Sequence, residues 1–151
     1  VTLRPYGSLR TFMDNYMQLL DQVAVTCGDD MVVRRWRPIN LVDLPAIYNW
    51  MPQALFEQRD LSRWRDIPTI FTRVGIGGTD VETRMERLED YADIFREIVD
   101  PAFDQPQPLN GSCYKVFRTG MSTVADTFNE ARTVLAIQFP ITVWLDRHIH
   151  A

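Results

Sequence analysis

Between Leu135 and Leu145 every second residue is large and apolar: Leu135, Ile137, Phe139, Ile141, Val143 and Leu145. Helical spacing would scatter these side chains around an axis, whereas a strand places all six on one face. A chain carrying such a run must build a sheet and bury one side of it. The run predicts a strand over residues 132–145. Pro140 lies on its opposite face and has no N–H for a ladder, which predicts an edge strand or a bulge. At ~3.3 Å per residue the strand exceeds about 40 Å, twice the usual length, so it is expected to project past its own domain.

Something apolar must cover that face, and two segments have the period for it. Leu9, Phe12, Met13, Tyr16, Leu19, Leu20 and Val23 form one stripe, predicting a helix over 9–25 with Ser8 as N-cap and Gly28 as stop. Val81, Met85, Leu88, Ala92, Phe95 and Val99 form a second stripe, with Thr79 and Glu82 as a capping box and Pro101 as the end.

The remaining segments are read as follows. Residues 31–36 form a strand ended by Pro38. Residues 41–52, broken by Pro45 and Pro52, form a short strand or extended arm. Residues 53–66, polar and Arg-rich, form a loop. Residues 67–76 form a strand closed by Gly75, Gly77 and Gly78. Residues 104–112 are a surface loop, and 113–118 a further strand. The expected architecture is a single α+β domain over residues 1–151. It has a small antiparallel or mixed sheet, two amphipathic helices on one face and a long C-terminal hairpin.

Composition agrees. The chain has 151 residues, 46% hydrophobic and 24% charged, which is ordinary globular usage for one soluble domain. No apolar run approaches the ~20 residues of a membrane span. The first five residues show no signal core, and Cys27 and Cys113 are too few for a disulfide framework. A net charge of −4 and a pI near 5.1 argue against general nucleic-acid binding. Of the 16 basic residues Lys115 is the one lysine, and guanidinium groups suit bidentate, stacked contacts at interfaces.

Chemistry-bearing patterns are few. Gly75-Ile76-Gly77-Gly78 stands where phosphate loops stand, but it has no phosphate-binding Lys, and Asp80 and Glu82 put negative charge at the dock; a turn is expected. His148 and His150 have no third or fourth ligand nearby, so no metal or cofactor is expected. With no other histidine, a Ser-His-Asp or Cys-His arrangement has nothing to use, and an enzyme is the least supported class. Arg34-Arg35-Trp36-Arg37 is basic and aromatic, but in a strand Arg34 and Trp36 face one side and Arg35 and Arg37 the other. A protein interface or local ion pairs are expected there. The acidic second helix (Glu86, Glu89, Asp90, Asp93) reads as a solvated or partner-facing surface.

The order of elements also resembles a known family. An amphipathic helix precedes Leu44-Pro45-Ala46-Ile47-Tyr48. Ile67-Pro68-Thr69-Ile70-Phe71, a Glu/Arg-rich helix and Phe139-Pro140-Ile141-Thr142-Val143 follow in turn. This looks like the tail terminator proteins of long-tailed, siphovirus-type bacteriophages, over nearly the whole chain. The resemblance implies a non-enzymatic virion protein forming a ring, as a hexamer, at the tail–neck junction after assembly in the host cytoplasm. The ring would cap the tail tube protein, end its polymerisation, meet a head-tail connector or stopper protein and let genomic DNA pass without sequence recognition. It implies no membrane partner and no catalytic residues. On that view Glu86, Glu89, Asp90 and Asp93 meet an Arg-bearing edge of a neighbour or line the lumen, and residues 119–131 project as a tube-contacting arm through Met121, Val124 and Phe128. The alternatives are another neck or tail-completion protein and, from a different class, a small nucleic-acid-binding regulator.

Overall fold

The computed structural model describes residues 2–3, 8–40, 43–58, 63–77, 80–128 and 132–150. Helix α1 (Leu9–Cys27) starts and stops as its sequence dictates. The Ser8 hydroxyl accepts from the Thr11 N–H at 3.3 Å, and Gly28, at φ 70°, returns its own N–H to the Ala24 carbonyl at 3.0 Å. Helix α2 (Val81–Phe103) is capped by Asp80, whose carboxylate accepts from the Glu82 and Thr83 N–H groups. The cap is therefore one residue later than expected, and Thr79 lies outside the described residues. Pro101 does not end α2. It sits in the last turn, where its missing N–H forfeits one hydrogen bond, and the helix continues to Phe103.

Strands β1 (Thr2–Leu3), β2 (Val32–Arg34), β3 (Ala46–Gln58), β4 (Arg63–Ile76), β5 (Lys115–Arg118), β6 (Ser122–Phe128) and β7 (Arg132–His150) form one mixed sheet. The central order is β7-β4-β3-β2. Strand β2 runs parallel to β3, and the other pairs are antiparallel. Strands β5 and β6 lie end to end along the far side of β7. Among the described residues no helix is long and apolar enough to cross a membrane.

Four expectations change. The short strand or extended arm expected over 41–52 is the start of a longer strand, β3. Residues 53–58 and 63–66, expected as loop, are the paired ends of β3 and β4; residues 41–42 and 59–62 lie outside the described residues. Pro52 is tolerated because β2 pairs only with Ala46 to Tyr48. Beyond that point β3 is a sheet edge, and it carries a bulge between Trp50 and Gln53. Strand β7 is an interior strand of 19 residues, not an edge. Pro140 falls where β5 has ended and β6 has not begun: β5 pairs with residues 141–144 of β7 and β6 with 132–138. Its carbonyl still accepts from the Thr119 N–H at 3.0 Å, and its absent donor faces a gap in the neighbouring strand. Within the stretch expected as an arm, residues 122–128 are zipped to β7 as β6, and 129–131 lie outside the described residues. The stretch 104–112 holds one irregular turn, α3 (Pro108–Gly111), in which Leu109, Asn110 and Gly111 all have positive φ.

Both helices pack on one face of the sheet, where Phe12, Tyr16, Leu20, Phe95, Ile70 and Phe139 are fully buried. Phe95 stacks on Phe139 at 4.0 Å between ring centroids. The polar groups in this core are satisfied in series. Tyr16 donates to Thr72 (2.6 Å), Thr72 to the Asn49 side-chain Oδ1 (2.7 Å), and Asn49 Nδ2 to the Arg35 backbone carbonyl (3.0 Å). At about 60 Å, β7 far outruns the roughly 35 Å of α2, so the helix layer leaves sheet uncovered.

Candidate functional site: the face of the sheet without helices

The strand registers assign the second face residue by residue. Three rows run across it: Ala46, Gly75, Ala136 and Val124; Tyr48, Arg73, Gln138 and Ser122; and Trp50, Phe71 and Pro140. Beyond them Thr69, Thr142 and Phe117 align, and Trp144 pairs with Lys115.

One half of this face closes on itself. The row Ala46-Gly75-Ala136 is nearly bare of side chain, so Tyr48 lies across the sheet. A Cβ on Gly75 would come within 2.7 Å of Val134 Cγ1 and 3.5 Å of the Tyr48 ring. That contact explains the glycine: Gly75 belongs to β4, where it makes room for the Val134 side chain beside Tyr48, and it is not the start of a turn. Gly78 lies outside the described residues. Tyr48 meets Phe128 edge-on at 5.5 Å, and the two pack with Ala46 and Val134 in a small second core. Its hydroxyl donates to Asp126 at 2.9 Å. Asp126 also accepts a bidentate pair from Arg37 (Nη2 to Oδ1 2.8 Å, Nε to Oδ2 3.1 Å) and a bond from Arg73 at 2.8 Å. Its side chain is only 8% exposed. Burial alone would raise its pKa, but the hydrogen bonds from Arg37, Tyr48 and Arg73 outweigh this and hold it below the ordinary carboxylate range. The Arg37 guanidinium lies 4.3 Å above the Phe128 ring and closes the cluster.

The other half stays open. Trp50 is 42% exposed and leans on Phe71, with Arg73 5.1 Å from its ring centroid. Trp144 stacks almost parallel to Tyr114, itself 57% exposed, and meets Phe117 edge-on. Arg65 sits 4.3 Å over Trp144 and 5.0 Å over Tyr114 while paired with Asp146 at 2.6 Å. Lys115 sits 4.9 Å over Trp144 and 5.3 Å over Phe117. The result is a patch of aromatic rings capped by cations.

The residues singled out in the sequence are dispersed around this surface. Arg34, Arg35, Trp36 and Arg37 do not form an alternating strand, because β2 ends at Arg34. Arg34 pairs with Asp43, while Arg35 crosses to α1 and bonds Asp14 and the Arg10 carbonyl. Trp36 is exposed, and Arg37 joins the Asp126 cluster. Val124 and Phe128 share the helix-free face, Val124 half-buried and Phe128 buried in its closed half, while Met121 precedes β6 and is exposed, so the three form no continuous exposed surface. Glu86, Glu89, Asp90 and Asp93 are all exposed on α2; Asp93 pairs with Arg96. At 100° per residue Glu82, Glu86, Glu89, Asp90, Asp93 and Glu97 fall within about 100° of arc, a single acidic stripe.

Trp50, Phe71, Phe117 and Trp144 were missed in the sequence. Their signal was the other phase of the alternation: Gln138, Pro140, Thr142, Trp144 and Asp146 are polar except where an aromatic or proline intervenes. The side chains of His148 and His150 lie outside the described residues. Among the described residues no three His, Cys, Asp or Glu converge on a metal-sized site. Burial pushes the Cys113 thiol up to about 12, and burial with nearby Asp29 pushes Cys27 up to about 11, so both stay protonated near neutrality. A groove of about 690 Å³ between α1 and residues 101–110 is lined by uncharged groups, among them Asn15, Gln18, Gln22, Gln105 and Asn110.

No protein-family model matches the chain, and no curated protein matches it.

Proposed function

We propose that this chain is a structural assembly subunit of the tail-terminator kind. It closes into a ring, a hexamer, on the end of a phage tail tube, stops the growth of the tube and offers a surface to a head-tail connector. Genomic DNA passes through the ring without base readout, and the subunit needs no cofactor. The observation that supports this reading is the division of the molecule into two opposite sides. One is the helix layer with its acidic stripe; the other is a sheet face whose aromatic half no helix covers among the described residues. A subunit with two different contact surfaces on opposite sides associates head to tail, and head-to-tail contacts close into rings when the subunit is wedge-shaped. The aromatic and arginine content of the open half is the composition that interface cores favour.

The test is the native mass of the purified full chain, with negative-stain imaging, alone and with tail-tube protein. Closed six-fold rings are expected under one of these conditions. A monomer at high concentration that also ignores tube ends would overturn the proposal.

A further inference from the structure

The open aromatic half of the sheet needs an occupant, and the chain itself carries a surface of matching charge. We infer that this patch docks the acidic stripe of α2 from a second copy of the same chain. The inference rests on the ring reading above and specifies its contact.

Charge is the first ground. Among the described side chains the sheet face without helices carries Arg37, Arg65, Arg73 and Lys115 against Asp126 and Asp146. Both carboxylates are already engaged, Asp126 by two arginines and Asp146 by Arg65. Lys115 has no carboxylate partner among the described residues. The described side chains of this face therefore carry an excess of positive charge.

The stripe has the opposite surplus, and it is arranged at a cost. Glu82 and Glu86, Glu86 and Asp90, Glu89 and Asp93, and Asp93 and Glu97 are all four residues apart, a spacing at which like charges destabilise a helix. Asp93 has Arg96 as a partner, but Glu86, Glu89 and Asp90 have none among the described residues. A cation laid along the stripe relieves that repulsion, and the patch offers the exposed Lys115, with Arg65 buried beside it and paired with Asp146.

The third ground concerns the rival occupant, a single-stranded nucleic acid. Base stacking needs free ring faces. Here Arg65 and Lys115 lie over Trp144, with Arg65 also over Tyr114 and Lys115 over Phe117. These cations cap ring faces that bases would need. Capping rings does not stop Lys115 from meeting a carboxylate at the same time.

The experiment uses two full-length variants. One reverses the stripe with Glu86→Lys and Asp90→Lys; the other reverses the patch with Lys115→Glu and Thr142→Glu. All four positions are exposed or half-buried, and far-UV circular dichroism checks that both variants fold. Each variant alone is expected to need about a hundredfold more protein to assemble, because like charges then face each other at every contact. Mixed in equal amounts the two should assemble again, alternating around the ring. If the wild type assembles and both variants assemble equally well alone, or if the mixture stays dissociated, the docking inference is overturned and the ring reading stands. A wild-type chain that never assembles, with or without tube protein, removes both. A low-salt mobility shift of an oligo(dT) probe that Lys115→Glu abolishes assigns the patch to nucleic acid instead.

Discussion

The two halves of the helix-free face begin from the same materials, aromatic rings beside arginines on alternating strand positions, and end differently. Around Tyr48 the row Ala46-Gly75-Ala136 is small enough for a ring to lie flat. Its hydroxyl reaches Asp126, and Arg37 folds over Phe128 to finish a closed cluster. Around Trp144 there is no such floor. The rings stand among Thr142, Phe117 and Lys115; of the cations that cap them Arg65 is buried against Asp146 and Lys115 is exposed. The closed half converts its charges into stability of the monomer. The open half pairs Arg65 with Asp146 but leaves Lys115 without a carboxylate partner among the described residues, and the proposed contact would use it.

The largest expected effect comes from removing the centre of the closed half. Asp126→Ala leaves Arg37, Arg73 and Tyr48 without their common acceptor and should cost ~3–5 kcal/mol in urea denaturation. A loss below about 1 kcal/mol would mean that the cluster is solvated like a surface pair. Next is Gly75→Ala. The new methyl meets Val134 at 2.7 Å, so Val134 or Tyr48 must move, and the expected cost is ~1–3 kcal/mol by thermal melting. An unchanged melt would show that the close approach of Val134 is not what the glycine protects.

Acid should act on the same half. The pKa of Asp126 is held below its unfolded value of about 3.9, so its contribution is present above that pH and lost as pH falls through the depressed folded value. Stability of the wild type and of Asp126→Asn, followed from pH 7 to pH 2, should therefore begin to converge below about pH 4 and go on converging as pH falls through the depressed folded value. Parallel curves would place the acid sensitivity elsewhere. The smallest effect belongs to the open half. Lys115→Ala removes two exposed cation–ring contacts and should cost the monomer less than about 1 kcal/mol. Its assembly should weaken nonetheless, and a monomer loss as large as that of Asp126→Ala would erase the distinction between the halves.

This contrast also explains what was legible in the sequence. The two helices and β7 were readable because each carries one uninterrupted apolar period, and the helix-facing core follows from those periods. The β3–β4 hairpin was not. Its distal part lies where it needs no continuous apolar face, and Pro52 and the arginines of residues 53–66 imitate a loop. Pro140 argued for an edge because sequence does not show that β5 and β6 abut opposite it. The candidate surface was the least legible part. Asp126 meets Arg37 from 89 residues away and Asp146 meets Arg65 from 81, so the basic residues near Trp36 looked like a patch when they were partners of distant carboxylates. The acidic stripe, by contrast, is a local property of one helix and was recognised directly.

The central claim is that the open half is the buried half of an assembly. Hydroxyl-radical footprinting of the tryptophans, comparing assembled and dissociated protein, tests it most directly. The account predicts strong protection of Trp50 and Trp144 on assembly, with Trp36, outside the patch, little changed. Equal labelling of Trp50 and Trp144 in both states would contradict it.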